Sequence, residues 1–111
     1  MSIGIIDYGS GNIKSVCNAL DYIECNYTLS NKIEELRNTS HLILPGVGSF
    51  KGTMEALEKY DLIEKLRELV INQKRYYLGI CVGMQILSET GDEFGKTNGL
   101  SWLKGHTSQL S

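Results

Sequence analysis

Short apolar runs alternate with stretches of helical period, and this alternation limits the possible folds more than any other feature of the chain. Residues 2–7 (Ser-Ile-Gly-Ile-Ile-Asp) are brief and isoleucine-rich, as a strand buried on both faces is. The turn Tyr8-Gly9-Ser10-Gly11-Asn12 follows, and Ile13, Val16, Cys17, Leu20 and Ile23 then recur at helical spacing, with Asn12 placed to cap the helix. Residues 26–29 form a more polar second strand candidate, and Ile33 and Leu36 mark a short helix or turn. His41-Leu42-Ile43-Leu44 reads as a third strand, stopped by Pro45-Gly46-Val47-Gly48. Met54 and Leu57 share one helical face, and from Asp61 onward Leu62, Ile63, Leu66, Leu69 and Val70 share another. Residues 75–80 predict a fourth strand feeding a helix over 82–88, and 100–103 are expected to add one more strand. Such alternation implies a doubly wound, mainly parallel α/β sheet with right-handed crossovers. Ligands of these sheets gather at the carboxyl ends of the strands.

Composition narrows the function classes. A length of 111 residues suits one domain with a real core. Eleven basic against thirteen acidic residues, with no basic stripe, make nucleic acid a poor partner. No run approaches the ~20 apolar residues of a membrane span. The start, Met1-Ser2-Ile3-Gly4-Ile5-Ile6-Asp7, lacks the basic n-region of a signal peptide. Three cysteines, an odd number, fit a reducing cytoplasm. Their spacing with His41 and His106 matches no zinc pattern, and neither metal nor organic cofactor is expected.

The chemistry concentrates at Gly79-Ile80-Cys81-Val82-Gly83, between the fourth strand and its helix. This is a nucleophile elbow with cysteine in place of serine: a sharp turn exposes the thiol, and small flanking residues relieve crowding. Helix-start N–H groups favour a thiolate, and the Val82 N–H is placed to donate to an oxyanion. The competing reading is a buried structural cysteine after a strand. A thiolate also needs a base. His41 opens the third strand at the end away from the elbow, roughly 13 Å off at ~3.3 Å per residue, and His106 lies in a polar, surface-like tail. Glycines in Pro45-Gly46-Val47-Gly48-Ser49-Phe50 let backbone N–H groups approach a substrate, although a tight strand exit would look the same. Residues 8–12 lack the third glycine of a dinucleotide loop, because position 14 is Lys. Cys17 falls on the apolar stripe of the first helix as a small core residue, and Cys25 is expected near the surface.

Three separated motifs, Asp-Tyr-Gly-Ser-Gly-Asn at 7–12, Pro-Gly-Val-Gly-Ser-Phe at 45–50 and Gly-Ile-Cys-Val-Gly-Met-Gln at 79–85, together resemble the class I glutamine amidotransferases. Within that family the likeness is to the glutaminase subunits that serve imidazole glycerol phosphate synthesis in histidine biosynthesis. The resemblance implies a flavodoxin-like fold, with Cys81 attacking the glutamine side-chain amide. Val82 N–H and the backbone near Val47 and Gly48 would form the oxyanion hole. Gly48, Gln85 and Glu93 would hold the substrate, against the plainer readings of Gln85 and Glu93 as solvated polar residues. Gly11 and Asn12 would lie where the family docks a (β/α)8-barrel cyclase in a heterodimer. The resemblance also implies that the chain falls in both the hydrolase and the lyase class.

The family's His-Pro-Glu motif does not occur in these 111 residues. The chain is therefore expected to be the N-terminal part of one truncated amidotransferase domain, inactive alone, with an uncovered sheet edge. Three rival readings remain at this level. One is a glutaminase serving another synthase, such as one aminating a sugar. The others are a different elbow-cysteine hydrolase and a non-catalytic α/β interaction module.

Overall fold

A computed structural model describes residues 1–9, 13–92 and 95–108. Its main sheet has four parallel strands: β1 (Ile3–Ile6), β2 (Tyr27–Ser30), β3 (His41–Leu44) and β4 (Tyr76–Gly79). They lie in the order β2-β1-β3-β4. β1 is central, with Ile3 opposite both Tyr27 and His41, and all four of its residues are buried. The isoleucine-rich run thus suits a strand covered on both faces.

Strand alternation sorts the side chains between two cores. On one face, Ile3, Ile5 and Ile43 pack with Leu20 of α1 (Ile13–Tyr22). On the other, Ile6, Leu42 and Leu44 meet three helices: α2 (Ile33–Leu36), α3 (Phe50–Lys59) and α4 (Ile63–Arg67). α4 continues into a π-helical turn over Glu68–Asn72. Leu57, Leu62, Leu66 and Leu69 are essentially sealed from solvent, the periodic positions seen in the sequence. The Ser49 hydroxyl caps α3 by accepting from the Gly52 N–H at 2.9 Å. Arg75 fastens the far end of the sheet, donating from Nη1 to the carbonyls of Arg37 (2.8 Å) and Thr39.

The elbow helix α5 (Val82–Gln85) is a single turn, shorter than the expected 82–88. The expected strand over 100–103 is absent. Leu100 N–H bonds Ile86 O at 2.7 Å and Leu103 N–H bonds Leu87 O at 2.9 Å, so this segment tails α5 instead of joining a sheet. A separate small sheet forms from β5 (Thr90–Asp92), β6 (Lys96–Asn98) and β7 (His106–Ser108), in the order β6-β5-β7. β5 runs antiparallel to β6 and parallel to β7. Beyond β3, β4 is the edge of the main sheet. Tyr76 and Leu78, on the α1 side, are 70% and 56% exposed there.

Candidate active site at the carboxyl edge of the sheet

Ile80 N–H bonds Leu44 O at 3.1 Å, the last tie between β3 and the chain leaving β4. Cys81 then turns with φ 55° and ψ −116°, far from the left-handed helical basin that tolerates side chains. Such a conformation costs on the order of 1–3 kcal/mol and persists only where the surroundings impose it. Here they do. Gly83 N–H bonds Ile80 O at 3.0 Å, and Met84 and Gln85 N–H groups both bond Cys81 O, at 2.9 and 3.1 Å.

The two glycines are required by close approach. A Cβ on Gly79 would stand 2.3 Å from Gly83 O, and one on Gly83 would stand 1.9 Å from Leu44 O. The result is an exposed thiol at the tip of the turn. Beside it, the Val82 N–H is engaged by no hydrogen bond among the described residues.

The neighbouring strand exits meet this turn through Gly46. Tyr8 Oη donates to Pro45 O at 2.5 Å, and a Cβ on Gly46 would collide with both that hydroxyl (2.0 Å) and Val82 Cγ1 (2.3 Å). The carboxyl ends of β1, β3 and β4 are therefore held together at one edge, as parallel pairing requires. Val47 and Gly48 are exposed and line a cleft of about 230 Å³ with Tyr8, Gly9, Ser49, Gly52 and Thr53. Cys81 does not line that cleft. A concavity of about 650 Å³ lies elsewhere, between α3 and β6, lined by Glu55, Glu58, Asp61 and Glu64 among others.

Gln85 ends α5 and is half-buried; its carbonyl accepts from Ser88 Oγ at 2.8 Å and Thr107 Oγ1 at 3.2 Å. Neither histidine hydrogen-bonds Cys81 among the described residues. His41 is in register with Tyr76, stacked on its ring at 4.6 Å, at the opposite end of the strand pair from Leu44 and Gly79. His106 is exposed on β7, with Nδ1 2.8 Å from Thr90 Oγ1. Cys17 packs half-buried against the α1-side core. Cys25, expected near the surface, does the same because the chain folds back after α1. Cys17 beside the Tyr27 phenol, with desolvation and Asp21, which accepts from Tyr27 Oη at 3.5 Å, pushes that phenol's pKa up to about 12. Gly11, Asn12 and Glu93 lie outside the described residues.

Two tyrosines escaped the sequence reading. Tyr8 bridges two strand exits, and Tyr77 donates to Gly83 O at 2.7 Å inside the elbow. The available signal was a tyrosine two residues before Gly79 and so on the same strand face, next to a second tyrosine, Tyr76, on the other.

Known proteins share this sequence and this fold. The sequence profile described as "Glutamine amidotransferase class-I" matches residues 4–106. The imidazole glycerol phosphate synthase subunit HisH of Bacillus thuringiensis subsp. konkukian is 48% identical over 103 residues, which cover 93% of this chain and 49% of that protein. The HisH subunit of Zymomonas mobilis subsp. mobilis is 39% identical, covering 98% of this chain and 53% of its own length. HisH 2 of Vibrio vulnificus is 44% identical, with 95% and 50% covered. The chain thus spans about half the length of the curated relatives it matches. A crystal structure of a glutamine amidotransferase superposes with a TM-score of 0.79 at 19% identity, over 96% of this chain and 55% of that one, and so shares the fold.

The profile match also corrects one expectation. An amidotransferase takes nitrogen from glutamine by cleaving an amide C–N bond, and a thiolate followed by water does this hydrolytically, not by elimination. The lyase class therefore does not describe this chain. With the profile running from strand β1 to strand β7, the chain belongs to the class I glutamine amidotransferase family.

Proposed function

We propose that this chain carries the nucleophile of a glutaminase, as the N-terminal part of a single amidotransferase domain over residues 1–111. One observation carries the reading: an exposed Cys81 held at φ 55°, ψ −116° between a parallel strand and a helix start. The Cys81 sulfur adds to the glutamine side-chain carbonyl. Its oxygen takes up the charge and is met by the Val82 N–H, with Val47 and Gly48 N–H groups as the second donors. The C–N bond then breaks, and ammonia leaves with the proton the thiol gave up. Water cleaves the resulting thioester to glutamate and restores the thiol. Gly48, Gln85 and Glu93 hold the substrate.

The relatives' names motivate the rest of the reading. The ammonia passes to a (β/α)8-barrel cyclase that makes imidazole glycerol phosphate for histidine, docked near Gly11 and Asn12, in the cytoplasm. Residues 1–111 alone do not turn glutamine over, because neither His41, at the far end of the strand pair, nor His106, paired with Thr90, is hydrogen-bonded to Cys81 as a base.

A glutamine-mimicking diazoketone tests the nucleophile. The expected adduct forms on Cys81, is suppressed by glutamine and is absent from Cys81→Ala. Labelling spread over Cys17 and Cys25, or indifferent to glutamine, refutes the assignment. Sustained ammonia release by the 111-residue chain, lost in Cys81→Ala, refutes the predicted inactivity.

A further inference from the structure

We propose that Tyr77 is a positioning residue for Cys81: its hydroxyl holds the Gly83 carbonyl, and with it the first turn of α5, against β4. The inference deepens the nucleophile reading and rests on it for its functional meaning. The hydrogen bond from Tyr77 Oη to Gly83 O is 2.7 Å long. The helix itself leaves that carbonyl unclaimed. Ile86 N–H goes to Val82 O at 3.0 Å, and Leu87 N–H goes to Met84 O at 3.2 Å as α5 tightens and ends. A carbonyl packed against a strand needs a partner, and Tyr77 supplies it.

The strand face is shaped for this contact. Tyr77 and Gly79 are two residues apart on β4 and so point to the same side. Position 77 brings the donor, and position 79 brings the clearance, since its missing Cβ would sit 2.3 Å from Gly83 O. The phenol ring is itself fixed edge-on to Trp102, centroids 5.2 Å apart at 79°. Burial, and secondarily Tyr8, pushes the Tyr77 hydroxyl well above the usual tyrosine range, so it remains a donor at ordinary pH. Cys81 is midway between Gly79 and Gly83. Fixing Gly83 onto β4 fixes both ends of the strained turn and hence where the thiol stands.

Tyr77→Phe keeps the ring and removes the donor. Two readouts follow in the 111-residue chain. With carbonyl-labelled glycine, the Gly83 resonance (identified through its bond to Met84 nitrogen) moves upfield while the other glycine carbonyls hold. Alkylation of Cys81 by iodoacetamide, measured against Cys17 and Cys25 in the same molecules, slows about fivefold, which is ~1 kcal/mol at 1.36 kcal/mol per tenfold. Trp102→Phe loosens the ring but leaves the donor. It is expected to lower the thermal midpoint without moving either readout. An unchanged Cys81 rate ratio in Tyr77→Phe, or an equal loss in Trp102→Phe, overturns the proposal. Neither readout involves glutamine, so failure here is separable from failure of the diazoketone test.

Discussion

Replacing Gly83 with alanine sets two physical effects in opposition. Helix propensity alone favours alanine by about 1 kcal/mol. Sterics oppose it, because the new Cβ would lie 1.9 Å from Leu44 O. An ordinary carbon–oxygen approach is about 3.3 Å, so the elbow and β3 must part by roughly 1.4 Å. The obstructing atom is backbone, and it also accepts the Ile80 N–H at 3.1 Å. Parting therefore sacrifices that bond, about 1 kcal/mol net, and strains the packing by about 1–3 kcal/mol. After the propensity gain, Gly83→Ala should lose about 1–3 kcal/mol. A domain of this size then melts roughly 5–12 °C lower. Urea unfolding followed by circular dichroism measures the loss. Gly48→Ala is the matched control, since its Cβ meets nothing nearer than Thr53 Oγ1 at 3.9 Å, and it should stay within ~0.5 kcal/mol of the parent. A Gly83→Ala chain as stable as the parent would refute the view that α5 is pressed onto β3 without slack.

Two further outcomes follow. Cys81→Gly removes a side chain from φ 55°, ψ −116°; the strain relieved exceeds the added chain entropy of glycine, so the urea midpoint should rise by about 1 kcal/mol equivalent, and a fall would contradict the strain. Tyr27 is held up to about 12, chiefly by Cys17, so the folded state retains this phenolic proton longer than the unfolded state does. The associated stability is present below about pH 10, the unfolded value, and is lost as pH rises through 12. Ultraviolet titration of the phenols should show Cys17→Ala bringing one late-ionising tyrosine down toward 10, and an unchanged profile would sink the assignment.

The main sheet was legible because β1 and β3 are compact apolar runs ended by aspartate or by proline and glycine, and the more polar β2 and β4 sit between helical stretches. Leu62, Leu66 and Leu69 likewise announce a helical face that the fold buries. The small sheet was not legible. Thr90–Asp92, Lys96–Asn98 and His106–Ser108 are three-residue polar strands without alternation, and the apolar residues nearby, Leu100 and Leu103, serve to tail α5 instead. At the site, Cys81 and its flanking glycines were readable because sterics at a sharp turn demand that spacing. Tyr77 and Tyr8 were hidden, since their partners are backbone carbonyls brought near only by strand pairing and the folding back of α5. Which groups lie outside the cleft was also hidden: strand order places Val47, Gly48 and Cys81 on one edge, but only the folded chain separates the thiol from the cleft beside Gly48.

The register of the central sheet has a kinetic consequence. Ile3 faces His41 and His41 faces Tyr76, so every step outward from β1 toward the elbow closes a loop of more than thirty residues. No local hairpin can seed this sheet, and long-range closure governs how fast it forms. β4 pairs with β3 alone, and the Cys81 turn is anchored through Leu44. The strained thiol conformation therefore comes into being only after β1, β3 and β4 have assembled in turn, which makes a reactive, correctly presented Cys81 a late product of folding.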